Sequence, residues 1–201
     1  MSAARTDYGV KQMNLIDTKV SSRPTAPVAS KGRIPPDGIL YSIGTCALGD
    51  VLVARSPAGV CAILIGSEAA ELKDDLATRF PASVLIPDGA ELREDLAKVV
   101  RFIESPSEGL DLPLDMHGTP FQRRVWEALC AIPTGTTVTY TELARSIGEP
   151  RSARAVARAC ATSAIALAIP CHRVLRSDGA LSGYRWGIER KRELLNREAM
   201  A

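Results

Sequence analysis

Ala166-Leu-Ala-Ile-Pro170-Cys171-His172-Arg173-Val174 is the stretch on which the reading of this chain turns. Its four apolar residues fit a buried strand, a proline ends the run, and a cysteine follows at once with histidine and arginine beside it. A free thiol has a pKa of about 8.5, so little is thiolate at neutral pH, and a nearby base or cation raises that fraction. A lone cysteine is more often a small buried hydrophobe; the His-Arg company of Cys171 points to chemistry instead. Three thiol chemistries can be compared. A tyrosine-phosphatase loop needs Cys, five residues, then Arg, but that position is Ser177 and Arg176 falls one short. A cysteine peptidase needs a histidine from elsewhere, and the only other one, His117, sits in a stretch rich in turn formers. His172, as a direct neighbour, reaches Cys171 best through a water, which suits a nucleophile used once.

Upstream of this stretch the pattern is helical. Thr119 can cap a helix with Pro120 at its first position, and Phe121, Val125, Leu129 and Ile132 lie along one face. Pro133-Thr-Gly135 ends it. Thr139 and Glu142 have capping-box spacing ahead of Tyr140, Leu143, Ala144 and Ile147, and Gly148 closes that helix. A further helix is expected from about Ser152 to Thr162, with Ala153, Val156, Ala157 and Cys160 as its buried stripe. Two short helices joined by a Gly-containing turn read equally as a helix-turn-helix or as an internal αα-hairpin. Alternating alanines let the second helix approach a surface closely, and Arg151, Arg154 and Arg158 place cations near its start and along one side.

Further toward the N-terminus, Ile39–Cys46, Asp50–Arg55 and Gly59–Gly66 read as three strands of an antiparallel meander. Ser67–Arg79 and Gly89–Glu104 are amphipathic helical patterns, and Ser105–Gly118 reads as a linker. Residues 1–38 lack apolar periodicity and are expected to be a flexible tail. The division that follows is a tail over 1–38, a small α/β domain over 39–117 and a helical domain over 118–201.

Composition narrows the partners. The 201 residues are 46% hydrophobic and 24% charged, with no apolar run long enough to span a membrane and no signal region. Only 4% are aromatic, which argues against a stacking-rich single-strand binder. Five cysteines, an odd number without C-x-x-C spacing, suit a reducing compartment, so a cytoplasmic protein without a metal site is expected. Charge divides unevenly: residues 1–118 carry 12 cations against 16 anions, residues 119–201 carry 13 against 7, and 12 of those 13 are arginine. Arginine is favoured for phosphate recognition, although a solvated charged surface gives the same count.

Pro170-Cys-His-Arg-Val174, followed by Ser182-Gly-Tyr-Arg-Trp-Gly187, Arg190-Lys191 and Leu194-Leu195, resembles the O6-alkylguanine-DNA alkyltransferase family. Within it, the C-terminal portion of bacterial Ada proteins is similar. The likeness is strong over 119–201 and looser back to about Ile39, through Leu112-Pro-Leu-Asp115 and Gly118-Thr-Pro-Phe-Gln122. The cysteine-rich zinc domain of Ada has no counterpart in this sequence.

The resemblance implies an α/β fold: a small RNase H-like antiparallel-sheet domain followed by a helical domain with a helix-turn-helix. It implies stoichiometric, irreversible transfer of an alkyl group from O6 of a flipped-out guanine, with O4 of thymine a further target, to Cys171. His172 would take the thiol proton through water, and Glu198 would polarise that imidazole. Tyr140 would donate toward the departing purine. Arg154 would fill the place of the extruded base, with Arg151, Ala153 and Ala155 against the duplex. The base pocket would come from the loop Ser177 to Trp186, with Tyr184 over the guanine and the Arg185 backbone donating to O6. The carbonyls of Cys171 and Val174 would accept from the guanine amine. One departure stands out: the family usually has asparagine eight residues before the cysteine, where this chain has Ser163. The expected partner is double-stranded DNA containing O6-alkylguanine, met by a monomer that needs no cofactor. The competing reading is a non-catalytic helix-turn-helix protein that binds alkylated DNA and signals, and the presence of Cys171 favours the enzyme.

Overall fold

Val60 to Ile65 is apolar at every position because both faces of its strand are covered. A computed structural model describes residues 34–181 and 183–201; the expected tail lies outside the described residues as far as residue 33. Strands β1 (Gly38–Cys46), β2 (Gly49–Ser56) and β3 (Gly59–Gly66) form the antiparallel meander. Side chains alternate across it. Leu52, Ala54, Ala62 and Leu64 face α1 (Ala69–Arg79) through its Leu72 and Leu76. Val51, Val53, Ile63 and Ile65 join Val99, Phe102 and Ile103 of α2 (Arg93–Glu104) on the other face. Helix α2 starts later than its periodicity suggests, because the Asp88 carboxylate accepts from the Ala90 and Glu91 amides (2.9 and 3.1 Å) and holds a turn there. A fourth strand, β4 (Val84–Pro87), adds parallel to β1 and gives the order β3-β2-β1-β4.

The free edge of β3 is occupied by two segments from later in the chain. The Val60 amide donates to the Pro113 carbonyl (2.7 Å) and the Asp115 amide to the Val60 carbonyl (2.9 Å), so the expected linker over 105–118 runs strand-like with Leu112 buried. Ile63 donates to the Ala164 carbonyl and accepts from the Ala166 amide, both at 2.9 Å.

That second contact corrects the expected strand over 166–169. After one rung the chain turns away: Ala168 donates to Ala166 across Leu167, which sits buried at φ +66. This is a γ-turn of the rare, strained hand, with a left-handed cost of roughly 1–2 kcal/mol for a non-glycine residue. Cys171 then donates to Ile169 (2.8 Å) across Pro170 at φ −81 and ψ 61, an inverse γ-turn. Two tight turns therefore aim the cysteine.

The second half is helical: α3 (Pro120–Cys130), α4 (Tyr140–Ser146), α5 (Ala153–Thr162) and α6 (Ile188–Ala199). Capping boxes start α3 (Thr119 with Gln122) and α4 (Thr139 with Glu142), each side chain satisfying the other residue's backbone donor. Helices α4 and α5 form the helix-turn-helix, joined through Gly148 at φ +77. Helix α5 packs on α3, where the Trp126 indole donates to the Ala159 carbonyl at 2.9 Å. Its buried face is Val156, Ala159 and Cys160, while Ala153 and Ala157 are only half-buried; the stripe is turned slightly from the one expected. Two-residue strands β5 (Val138–Thr139) and β6 (Val174–Leu175) pair in parallel. No helix among the described residues is long and apolar enough to cross a membrane.

Candidate active site

Cys171 opens a single 3-10 turn, Cys171–Arg173, and is 5% exposed. Burial pushes its thiol up to about 12, only partly offset by the Lys191 charge and a backbone hydrogen bond. Cys171 is thus held as a neutral thiol, not the enriched thiolate that its neighbours suggested.

His172 is fully buried, with Nε2 2.8 Å from Glu198 Oε1. A carboxylate only accepts, so Nε2 carries the ring proton and Nδ1 keeps its lone pair. Nδ1 is buried and has no hydrogen-bond partner among the described residues. Burial pushes the imidazole down, outweighing the pull of Glu198, and keeps it neutral. Glu198, from the last turn of α6, is itself buried. Burial alone would raise its carboxyl, but hydrogen bonds from His172 and Arg173 hold it at about 2. Arg173 Nε and Nη2 approach Glu198 Oε1 and Oε2 at 2.8–3.1 Å, while Nη1 donates to the Ile132 carbonyl and Nη2 to Thr134. The Gly135 amide adds a bond to Glu198 at 3.3 Å. One buried carboxylate therefore orients the imidazole and is charge-balanced by a guanidinium.

The β5–β6 pairing sets Thr139 opposite Leu175, which brings Tyr140, first residue of α4, beside the strand leaving Cys171. Tyr140 packs against the apolar cluster that contains Cys171. Tyr184 stands edge-on to His172 (centroids 6.4 Å apart) and to Trp186 (5.1 Å), with its hydroxyl buried and unpartnered among the described residues. Val174 is buried, and its carbonyl accepts from Lys191 Nζ at 2.6 Å. The Arg185 side chain meets Asp75 of α1 at 2.6 Å.

Ser163 ends α5 fully buried, and its hydroxyl accepts from the Ile165 amide at 3.2 Å. It braces the start of the turn toward Cys171 and lines a cavity of about 140 Å³ with Cys61, Met116 and Trp126. On the outer side of α5, Arg151, Arg154 and Ala155 are exposed and Ala153 is half-exposed; neither arginine forms an ion pair among the described residues.

Sequence reasoning missed two members. Arg173 stood in the quoted motif, but nothing local shows that it shares Glu198 with His172. Lys191 is wholly buried, and burial lowers its ammonium to about 8 against the opposing pull of Cys171 and Cys160. A lysine next to arginine on a charged helix gives no signal of that fate.

The fold and site together define a helix-turn-helix protein with a buried, histidine-flanked cysteine. The DNA-binding-domain model of 6-O-methylguanine DNA methyltransferase matches residues 120–200. The bifunctional transcriptional activator/DNA repair enzyme Ada of Escherichia coli is 48% identical over 161 residues, which is 80% of this chain and 46% of that protein. The chain thus spans just under half the length of Ada. A methylated-DNA–protein-cysteine methyltransferase of Methanosarcina barkeri is 39% identical over 160 residues, 79% of this chain and 96% of that protein. The crystal structure of Mycobacterium tuberculosis OGT in complex with DNA superposes with a TM-score of 0.67 at 32% identity, covering 80% of this chain and 93% of that one. The chain belongs to the methylated-DNA–protein-cysteine methyltransferase family.

Proposed function

We propose that this chain repairs duplex DNA by moving an alkyl group from O6 of guanine to Cys171, once per molecule. The observation that carries this reading is the buried relay: Glu198 fixes the imidazole proton on Nε2 and leaves the Nδ1 lone pair of the residue next to Cys171 unpartnered. The thiol proton passes to Nδ1 through a water, and sulfur forms a bond to the alkyl carbon. The C–O6 bond breaks, its electron pair goes to the purine, and guanine departs after regaining a proton. Glu198 stabilises the imidazolium formed on the way, and Arg173 keeps that carboxylate ionised. Tyr140 donates toward the leaving base, Tyr184 covers it, and the Arg185 backbone and the Cys171 and Val174 carbonyls read its edge. Arg154 holds the gap in the duplex, while Arg151, Ala153 and Ala155 lie against it. The α/β part, 39–117, supports the helical part, 118–201, and the protein works as a cytoplasmic monomer.

A thioether is a poor leaving group toward water, so no turnover is expected. Intact mass after exposure to a duplex bearing one O6-methylguanine should rise by a single methyl group, mapped to Cys171. Cys171→Ser should bind the duplex and gain nothing. Several lesions repaired per molecule, or label on Cys160, would overturn the reading.

A further inference from the structure

We propose that Asp75 is a specificity-determining positioning residue: by holding the Arg185 guanidinium it sets how far the 176–187 loop can rise from Cys171, and so limits the bulk of the O6 substituent accepted. This rests on the alkyl-transfer reading above.

The loop leaves β6 at Leu175 and enters α6 at Ile188. Its far end is pinned by Arg190, which donates to the Trp186 carbonyl (2.9 Å) while reaching back to the Leu48 carbonyl (2.8 Å) and Ser67 (3.0 Å). Between the ends, the backbone bonds of the described residues stay within the loop: Arg176 to Ala180, Gly179 to Arg176, Gly187 to Tyr184. A Cβ placed at Gly179 or Gly183 would meet nothing within 4 Å, so the loop is unpacked at those two positions. Among the described residues of 177–185, the one hydrogen bond or ion pair to the α/β part is Arg185 to Asp75, at 2.6 Å across 110 positions of sequence. It falls on the residue directly after Tyr184, whose ring stands against His172.

Asp75 is itself held in place. Arg79, one turn along α1, donates from Nε to its other oxygen at 3.3 Å, and Leu72 and Leu76 seat the helix on the sheet. The anchor is thus built on a rigid element and the tethered loop is not. Releasing the tether frees the loop to lift without disturbing Cys171, His172 or Glu198.

The test uses Asp75→Asn and, from the other side, Arg185→Gln, with Asp75→Glu as the conservative control. Single-turnover rates at saturating DNA are measured on duplexes bearing O6-methylguanine or O6-butylguanine, alongside hydrogen exchange of the 176–187 backbone without DNA. An exposed ion pair of this kind is worth about a two- to fivefold factor. The butyl-to-methyl rate ratio should rise by that factor in both variants, loop exchange should quicken similarly, and the Asp75→Asn/Arg185→Gln double variant should match either single one. Asp75→Glu should restore the ratio. An unchanged ratio, or equal slowing on both substrates with loop protection intact, would overturn the assignment. Failure of the unaltered chain to take methyl from DNA would instead overturn the functional reading, and loop exchange would still report on the tether.

Discussion

Replacing Glu198 by Gln removes one charge and hardly any volume, so it isolates what the buried carboxylate does. Its carboxyl is held at about 2 against an ordinary 4.5, and at about 1.36 kcal/mol per unit that is about 3 kcal/mol of stabilisation. A second route gives a similar figure: breaking a buried ion pair on one side costs about 3–5 kcal/mol, because Arg173 would be left buried without its counter-charge. The folded-state pKa lies below the unfolded one, so this stability is fully present above about pH 4.5 and is lost as pH falls toward 2. Urea unfolding followed by the fluorescence of the buried Trp126 and Trp186 should show Glu198→Gln about 3 kcal/mol less stable at pH 7. The gap should close between pH 4.5 and pH 2, as the unaltered carboxyl takes up a proton. Transfer should slow by roughly 10²-fold, because the imidazole loses both its fixed tautomer and the charge that stabilises its protonated form. A variant as stable as the parent at pH 7, or a gap that does not change with pH, would refute this account of the relay.

Arg151→Ala should flatten the slope of log K against log salt by about 0.9 for duplex DNA, since one phosphate contact is lost. Arg154→Ala should instead depress the single-turnover rate more than duplex affinity; equal small effects from both would mean that the exposed face of α5 does not meet DNA. Ser163→Asn should speed transfer by roughly twofold to tenfold with little change in affinity, because the longer amide completes the brace between α5 and the turn to Cys171. The cavity beside Ser163 gives that amide room, so a clear loss of rate would show a site built around serine.

The elements that could be read directly were those fixed by local chemistry. Gly49 at φ +110 sets the first reversal of the meander, since a Cβ there would fall 2.3 Å from the Gly66 carbonyl oxygen. Thr139 and Glu142 mark a helix start in four residues. Cys171 and His172 announced themselves by adjacency. Strand β4 escaped because four residues ending in Pro87 carry no alternation, and β1 supplies the pairing. The run over 166–169 misled because an apolar stretch has the same composition whether it is extended or folded into turns, and leucine does not advertise a positive φ. Glu198 came only from the family resemblance, because its neighbours on α6 give it no local mark; the arrival of Arg173 and His172, 25 and 26 positions earlier in the chain, puts it inside. Asp75 and Arg185 lie still further apart, and neither has a sequence neighbour that hints at the other.

The rungs that Val60 and Ile63 extend to residues 113–115 and 164–166 make the edge of the sheet a shared foundation. The apolar cluster above it takes side chains from β2, β3 and α2 as readily as from α3, α5 and α6. Neither part can lose its packing without exposing the other's, so heat or denaturant should melt the described body in one cooperative step. The same coupling bars a division of labour by truncation: residues 118–201 alone would keep every group of the relay and lose the floor on which the turn to Cys171 is laid.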